Sequence, residues 1–256
     1  MSYNCQFKLI CGIPLVECEV FGKRGWFAFD TGAMLTTLNS RYFDNAESKE
    51  IEACIYDNDA TKTKARTCCI PQISIGNMVC DGPINGALMD MSYVENAFRA
   101  QGSSIEFFGS IGIDIIGKHD LLLDYPMQRI VFNPDVSFCH YEEVTLAEAE
   151  LPLITAIIGE SGFNFVLDTG ASTCLIDKDI ASNIELHESG EQNGLYVLPQ
   201  IKIASVSFDD LHTVISDLQA IRAKVHADGI LGFEVLSKQR TIFRFGSKAI
   251  LLEKQS

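Results

Sequence analysis

The stretch Phe29-Asp30-Thr31-Gly32-Ala33 ends a short apolar segment in the first half of the chain, and Leu167-Asp168-Thr169-Gly170-Ala171 ends a similar segment in the second half. One Asp-Thr-Gly is compatible with an ordinary β-turn, in which the aspartate accepts hydrogen bonds from the backbone and glycine supplies a positive φ. Two copies in one chain raise the question of whether the sequence around them repeats as well.

The surrounding sequence does repeat, in the same order in both halves. Three further segments of the first half have counterparts in the second half, and the spacing between them is longer in the first half. Four matches in a fixed order are typical of an internal duplication. The three further pairs are Pro71–Ile75 with Pro199–Ile203, Asp90–Val94 with Asp217–Ile221, and Gly109–Asp114 with Gly229–Glu234.

Between these segments the periodicity is mainly that of β-strands, with short β-branched and aromatic runs separated by Gly, Pro and Asn. We therefore predict an all-β protein with one short helix in each half, divided into an N-terminal lobe of residues 1–141 and a C-terminal lobe of residues 142–256. A helical spacing is formed by Val214, Leu218, Ile221 and Val225. The clearest predicted strands are Phe7–Ile10, Trp26–Phe29, Arg129–Phe132, Leu153–Ile158, Phe163–Leu167 and Thr241–Phe245.

Packing of two equivalent halves about a pseudo-two-fold axis would bring their Asp-Thr-Gly loops face to face. Asp30 and Asp168 would then share one site. Two close carboxyl groups cannot both ionise at low cost, so they hold one proton between them. Such a pair can deprotonate a water molecule and protonate a carbonyl oxygen, which are the two proton transfers that peptide hydrolysis requires.

These motifs resemble the active-site loops of the pepsin and retropepsin superfamily of aspartic peptidases. The hydrophobic-hydrophobic-glycine element of that superfamily is matched by Ser110-Ile111-Gly112 and more closely by Ile230-Leu231-Gly232. The alanine that follows each Asp-Thr-Gly is closer to the retropepsin branch, and each half has the size of one retropepsin. The resemblance extends over nearly the whole chain and implies a two-lobe, acid-protease-like β-barrel fold made of two retropepsin-like halves.

The resemblance also implies roles for individual residues. The aspartates are the catalytic pair, the threonines lock the two loops together, and the glycines let the backbone approach the aspartates and the substrate. A β-hairpin flap covers the cleft in this family, and Glu188–Tyr196 is the candidate in the second half. Its first-half counterpart, between Tyr56 and Thr67, contains no glycine. The loop-supporting residues are then Thr31, Gly32, Thr169 and Gly170, and the substrate-binding residues are Ala33, Met34, Ala171, Ser172 and Gly194.

The composition limits the other functions to consider. Of the 256 residues 47% are apolar, and the formal net charge of -14 disfavours nucleic acid as a partner because phosphate would be repelled. The sequence shows no apolar run long enough to span a membrane and no secretory signal pattern, so we expect a cytoplasmic location. The nine cysteines and five histidines show no metal-ligand spacing. We predict neither a metal nor a cofactor.

The sequence therefore predicts a monomeric aspartic endopeptidase that binds an extended peptide or protein segment between its lobes. Two alternatives remain open. The same fold could bind peptides or regulate a partner with little cleavage, or its only substrate could be itself. Asp114 and Glu234, which follow the glycine segments at equivalent positions, are expected to form an ion pair or cap a helix.

Overall fold

The computed structural model describes residues 2–56, 62–135, 140–190 and 193–254. This part of the chain is mainly β-structure, so the prediction of an all-β, acid-protease-like fold is confirmed. No helix in the described part of the chain is long and apolar enough to cross a lipid bilayer.

Six strands of the first half close into a barrel. Their order is β2-β3-β8-β4-β7-β6, and pairing of Cys18 with Ile75 and of Val20 with Ile73 closes the last strand onto the first. The strands of this half are β1 (Tyr3–Ile10), β2 (Ile13–Val20), β3 (Lys23–Phe29), β4 (Thr37–Asn39), β5 (Ser48–Tyr56), β6 (Lys62–Ile75), β7 (Met78–Met89), β8 (Phe107–Ile111), β9 (Leu121–Asp124) and β10 (Arg129–Phe132).

The second half contains a barrel with the same strand order, β12-β13-β18-β14-β17-β16, closed by pairing of Ile157 with Lys202. The strands that end at Asp30 and at Asp168 therefore occupy equivalent places. The strands of this half are β11 (Tyr141–Thr145), β12 (Leu153–Ile158), β13 (Ser161–Leu167), β14 (Cys174–Asp177), β15 (His187–Glu188), β16 (Leu195–Ile203), β17 (Val206–Ser216), β18 (Gly229–Leu231), β19 (Thr241–Arg244) and β20 (Ala249–Glu253).

A third group of strands joins the two halves. Strands β11, β20 and β19 of the second half continue into β9, β10 and β1 of the first half. The junction is the antiparallel pairing of β19 with β9, in which Ile242 lies opposite Leu122. The predicted lobe boundary between residues 141 and 142 falls inside β11, which pairs along its whole length with β20.

The helices are short and lie at corresponding points of the two halves. Asp90 and Asp217 accept hydrogen bonds from the first backbone N–H groups of α2 and α5, which explains why both aspartates recur in the repeated segments. The predicted single helix of each half corresponds to these two, and four shorter helices accompany them. The helices are α1 (Ser40–Phe43), α2 (Ser92–Ala100), α3 (Ile113–Ile116), α4 (Lys178–Ala181), α5 (Gln219–Val225) and α6 (Phe233–Leu236).

The strands that precede the two Asp-Thr-Gly loops are held in place by fully buried side chains. Phe27 and Phe29 of β3 and Phe165 and Leu167 of β13 are at most 1% exposed. Each strand pairs in parallel with the glycine-containing strand of its own half, β3 with β8 and β13 with β18. The ends of β3 and β13 are therefore held from both sides, which places the following aspartates at a defined position.

Candidate active site

The structure brings the two Asp-Thr-Gly loops into direct contact. The Asp30 N–H donates to the Ile111 carbonyl at 3.0 Å, and the Asp168 N–H donates to the Leu231 carbonyl at the same distance. These bonds attach each loop to its parallel neighbour strand just before the glycine of the second repeated motif. The two carboxyl groups lie within hydrogen-bonding reach of each other.

The two threonines bind the opposite loop in a reciprocal way. The Thr31 N–H donates to Thr169 Oγ1 at 3.0 Å, and the Thr169 N–H donates to Thr31 Oγ1 at 3.1 Å. Each hydroxyl then donates across the interface, from Thr31 to the Leu167 carbonyl at 2.7 Å and from Thr169 to the Phe29 carbonyl at 2.5 Å. Both side chains are fully buried, so these four hydrogen bonds fix the loops without competition from water.

The two glycines are required by the closeness of the opposing carboxyl group. The Gly32 N–H donates to Asp30 Oδ1 at 3.0 Å, and the Gly170 N–H donates to Asp168 Oδ1 at 2.7 Å. A Cβ atom on Gly32 would collide with the Asp168 carboxyl, and one on Gly170 would lie 2.6 Å from Asp30 Cγ. Any side chain here would force the carboxyl groups apart.

The electrostatics of the pair favour retention of a proton. Burial raises the pKa of both Asp30 and Asp168, and the Asp168 charge raises the pKa of Asp30 further. The N–H groups of the glycines and of the following alanines act in the opposite direction, since they stabilise the charged form. Burial has the largest effect, so both pKa values are raised. Because the two carboxyl groups interact with each other, their protons titrate jointly.

A second set of hydrogen bonds fixes the end of the first loop. The Ile113 N–H donates to the Ala33 carbonyl at 2.7 Å, and Thr36 donates to Asp114 Oδ1 from both its N–H and its hydroxyl at 2.8 Å. The Gly112 N–H donates to Thr36 Oγ1 at 3.2 Å. Asp114 thus anchors the loop through Thr36, and it also lies in the first turn of α3, where the sequence suggested a helix-capping role.

The second loop has a related arrangement with different chemistry. The Phe233 N–H donates to the Ala171 carbonyl at 2.9 Å, as Ile113 does to Ala33. Cys174 takes the place of Thr36 and accepts from the Gly232 N–H, and burial raises the pKa of its thiol to about 12. Glu234 lies 3.6 Å from His212 Nδ1. Only the first loop therefore has a carboxylate anchor.

The other predicted substrate-binding residues are less closely tied to the pair. Met34 is half-buried and lines a cavity of about 610 Å³ with Glu148, Ala149, Glu150 and Lys224, whereas Ser172 is exposed. Gly194 lies with φ +80° in the turn between β15 and β16, outside the hydrogen bonds of the loops. Its hairpin is the predicted second flap, of which residues 191–192 lie outside the described chain. Residues 57–61 of the predicted first flap lie outside it as well.

Tyr125 is a neighbour of the site that the sequence did not indicate. Its ring packs edge-on against Phe7 and Phe233, and its hydroxyl has no hydrogen-bond partner in the described part of the molecule. Burial raises the pKa of this phenol, and the charge of Asp168 raises it further. Tyr125 lies in the turn between β9 and β10, distant in sequence from Asp168. No sequence pattern around it predicts a position beside an aspartate.

The described residues contain no group of three or more His, Cys, Asp and Glu side chains arranged to hold a metal ion. With its own groups, the carboxyl pair can accept and donate protons.

Comparison with known families gives a match in the second half of the chain. Residues 154–235 match the family model described as aspartyl protease. The matched segment contains Asp168, the loop around it and the second glycine motif. No curated protein matches the chain. The match supports an aspartyl protease-like domain, and hence a peptidase type of hydrolase, over that segment.

Proposed function

We propose that the protein is an aspartic endopeptidase whose catalytic pair is Asp30 and Asp168. The observation that carries this proposal is the close approach of two half-buried carboxyl groups, one from each half. Both have raised pKa values, and both are held by reciprocal threonine hydrogen bonds. Burying two acids together opposes folding, so a purely structural role does not account for the arrangement.

The proposed reaction uses the single proton that the pair shares. The ionised carboxylate accepts a proton from a water molecule as the water oxygen attacks the peptide carbonyl carbon, and the protonated carboxyl donates its proton to the carbonyl oxygen. The tetrahedral intermediate then collapses: the C–N bond breaks, the leaving amine takes a proton from the pair, and one hydroxyl of the intermediate returns its proton to the pair as the product carboxyl group forms. The pair again holds a single proton. No covalent bond to the protein forms. Separate acid and base roles are not assigned, because the two groups titrate as one system.

In this proposal the chain is a fusion of two retropepsin-like halves, residues 1–141 and 142–256, and acts as a monomer because one chain supplies both aspartates. The substrate is a peptide or protein segment in extended conformation, located between the lobes. Main-chain pairing with the β15–β16 hairpin would hold it, since an exposed hairpin edge offers free N–H and carbonyl groups to a bound strand. Ala33 and Ala171 would form the floor beside the pair.

Replacement of one aspartate tests the mechanism. We expect Asp168→Asn, and equally Asp30→Asn, to lower kcat by at least roughly 10²–10⁴-fold, because the amide can neither accept the water proton nor carry the shared one. The assay is cleavage of a peptide library between about pH 4 and 7, read by mass spectrometry. Asp210→Asn is the matched control, since Asp210 is exposed within β17.

Four results separate the alternatives. Cleavage by the wild type and by Asp210→Asn, but by neither dyad variant, supports the peptidase. Near wild-type turnover in a dyad variant rejects the proposed pair. Saturable peptide binding without cleavage in the wild type favours the peptide-binding alternative, and a loss of intact mass during incubation without substrate indicates self-cleavage.

A further inference from the structure

A cavity of about 340 Å³ lies between α3, the segment that leads from β11 into β12, and the turn between β19 and β20. This volume is within the range of sites that bind small molecules. None of the described lining residues belongs to either Asp-Thr-Gly loop, so the cavity is separate from the candidate active site. Its chemistry is set by six of the lining residues, which are Ile113, Lys118, Leu146, Glu150, Phe245 and Lys248.

The corresponding place of the internal repeat is filled by aromatic rings. Phe233 is the counterpart of Ile113, since each donates its N–H to the carbonyl of the alanine that follows an Asp-Thr-Gly. The Phe233 ring packs edge-on against Tyr125, which packs in the same way against Phe7. The space beside Phe233 is so fully occupied that a Cβ atom on Gly12 would lie 2.9 Å from its Cγ. Three rings therefore pack together on that side of the molecule.

The cavity is lined by the counterparts of these three rings, two of which are smaller. Leu146 corresponds to Phe7, since each donates its N–H to the carbonyl of the residue that precedes β20 or β10. Phe245 corresponds to Tyr125, since each directly follows the equivalent strand, β19 or β9. With Ile113 in place of the third ring, two aliphatic side chains stand where the other side has phenyl groups. The cavity therefore has apolar walls and the room for an aromatic ring.

Two opposite charges border the same cavity without an ion pair. Lys118 and Glu150 are exposed lining residues, and neither forms a salt bridge within the described part of the chain. The carboxylate of Asp114, one turn before Lys118, is engaged in the loop anchor described above. Lys248, the third charged residue of the lining, pairs with Glu148. Among the described residues the cavity thus offers one cation and one anion to a ligand.

We propose that this cavity binds a free aromatic α-amino acid. The ring of the ligand packs beside Ile113, Leu146 and Phe245, in the way that aromatic rings pack in the corresponding place. Its carboxylate pairs with Lys118, and its ammonium group pairs with Glu150. An amino acid carries both charges on one carbon, next to the side chain, and so matches the apolar walls and both unpaired side chains. The site is independent of the proposed peptidase activity.

Isothermal titration calorimetry of the full chain with L-phenylalanine tests the ligand class. Three further probes each lack one recognition element: 3-phenylpropionate lacks the ammonium group, phenethylamine lacks the carboxylate, and L-alanine lacks the ring. We expect a Kd on the order of 1 mM or below for L-phenylalanine. The two single-charge probes should bind at least about threefold more weakly, and L-alanine should give no saturable signal. A probe that binds as tightly as L-phenylalanine overturns the proposal, and so does the absence of saturable L-phenylalanine binding.

Matched substitutions test the location of the site. Lys118→Gln and Glu150→Gln should each weaken L-phenylalanine binding at least about threefold. Ile113→Phe should abolish it, because the added ring fills the cavity as Phe233 fills its counterpart. Lys238→Gln is the control: Lys238 is the exposed counterpart of Lys118 and donates to a backbone carbonyl at 3.2 Å. Unchanged affinity in either charge variant rejects the site. If Ile113→Phe fails to unfold cooperatively, the two charge variants decide, since both positions are exposed.

Discussion

At the scale of single residues, the two aspartates oppose the stability of the fold that positions them. Burial raises the pKa of both Asp30 and Asp168 above the usual carboxyl value. Between the unfolded-state pKa, about 4, and the raised folded-state pKa, the folded protein binds more protons than the unfolded chain. The free energy of unfolding therefore falls as the pH rises through this window, and the full cost is present above it.

This dependence predicts that Asp168→Asn is more stable than the wild type at neutral pH. The asparagine carries no charge. The free energy of unfolding of the variant should therefore lack the decrease with rising pH that the carboxyl pair causes in the wild type. The difference between variant and wild type should widen as the pH rises from about 4 towards 7. Urea unfolding at a series of pH values measures it. Asp210→Asn, at an exposed position, should follow the wild type. A constant difference across the series would contradict the proposed burial cost.

The sequence was sufficient for the residues that form a local motif. Each Asp-Thr-Gly motif identifies an aspartate, a threonine and a glycine of the site together. The internal repeat explains why the two loops should meet. The anchors of the loops could not be predicted in the same way. Asp114 reaches Thr36, and Tyr125 lies near Asp168, only after the chain has folded, because these contacts join distant segments.

At the scale of secondary-structure elements, the glycine-containing strands β8 and β18 pack closely against their neighbours at Gly109 and Gly229. Gly109 has φ +155°, and a Cβ atom there would collide with the Thr37 carbonyl and lie 3.1 Å from the Phe27 ring. β8 pairs with β4 at this point and with β3 on its other side. Gly109 thus allows the strand that ends beside the first Asp-Thr-Gly loop to fit between its neighbours.

We therefore predict that Gly109→Ala lowers the free energy of unfolding by more than about 2 kcal/mol, since both the φ value and the backbone collision oppose it. Gly246→Ala is the control, because a Cβ atom there meets nothing within 4 Å and φ is not in the left-handed region. It should change stability by no more than about 0.5 kcal/mol. Urea denaturation followed by circular dichroism compares the two. Equal effects would show that β8 can separate from β4 at little cost.

The helical pattern at Val214, Leu218, Ile221 and Val225 shows how the sequence can mislead at this scale. Val214 belongs to β17, and α5 begins only at Gln219. Val214, Leu218 and Ile221 all contact one apolar cluster around Ala171 and Ile230. A strand and a helix that pack on the same cluster produced a spacing that resembles one continuous helix.

At the scale of the whole molecule, the sheet that joins the halves was not predicted from the sequence, although its strands β1, β10 and β19 were. β11, β19 and β20 carry no motif, and their pairing with β9, β10 and β1 depends on how the two halves meet. Leu122 of the first half and Ile242 and Leu251 of the second are all buried in one cluster at this junction. A continuous sheet with its own core couples the halves, so neither can lose its joining strands without exposing apolar surface of the other.

We predict that Ile242→Ala destabilises both halves together, by about 2–5 kcal/mol, because it leaves a cavity where β19 contacts β9 and β20. Two probes follow the halves separately. Trp26, the only tryptophan, reports on the first half by fluorescence, and Cys174, the only cysteine after residue 142, reports on the second by pulsed thiol labelling. Ile157→Ala, at a side chain that is 39% exposed on β12, is the control with a smaller effect.

Coincident shifts of both transitions in Ile242→Ala would show that the halves unfold as one cooperative unit. This coupling bears on the proposed catalysis, since the aspartates meet only while both loops are held in place. If Cys174 became reactive at a lower urea concentration than that of the Trp26 transition, the halves would unfold independently. The threonine hydrogen bonds between the loops would then have to hold the carboxyl pair together without support from the joining sheet.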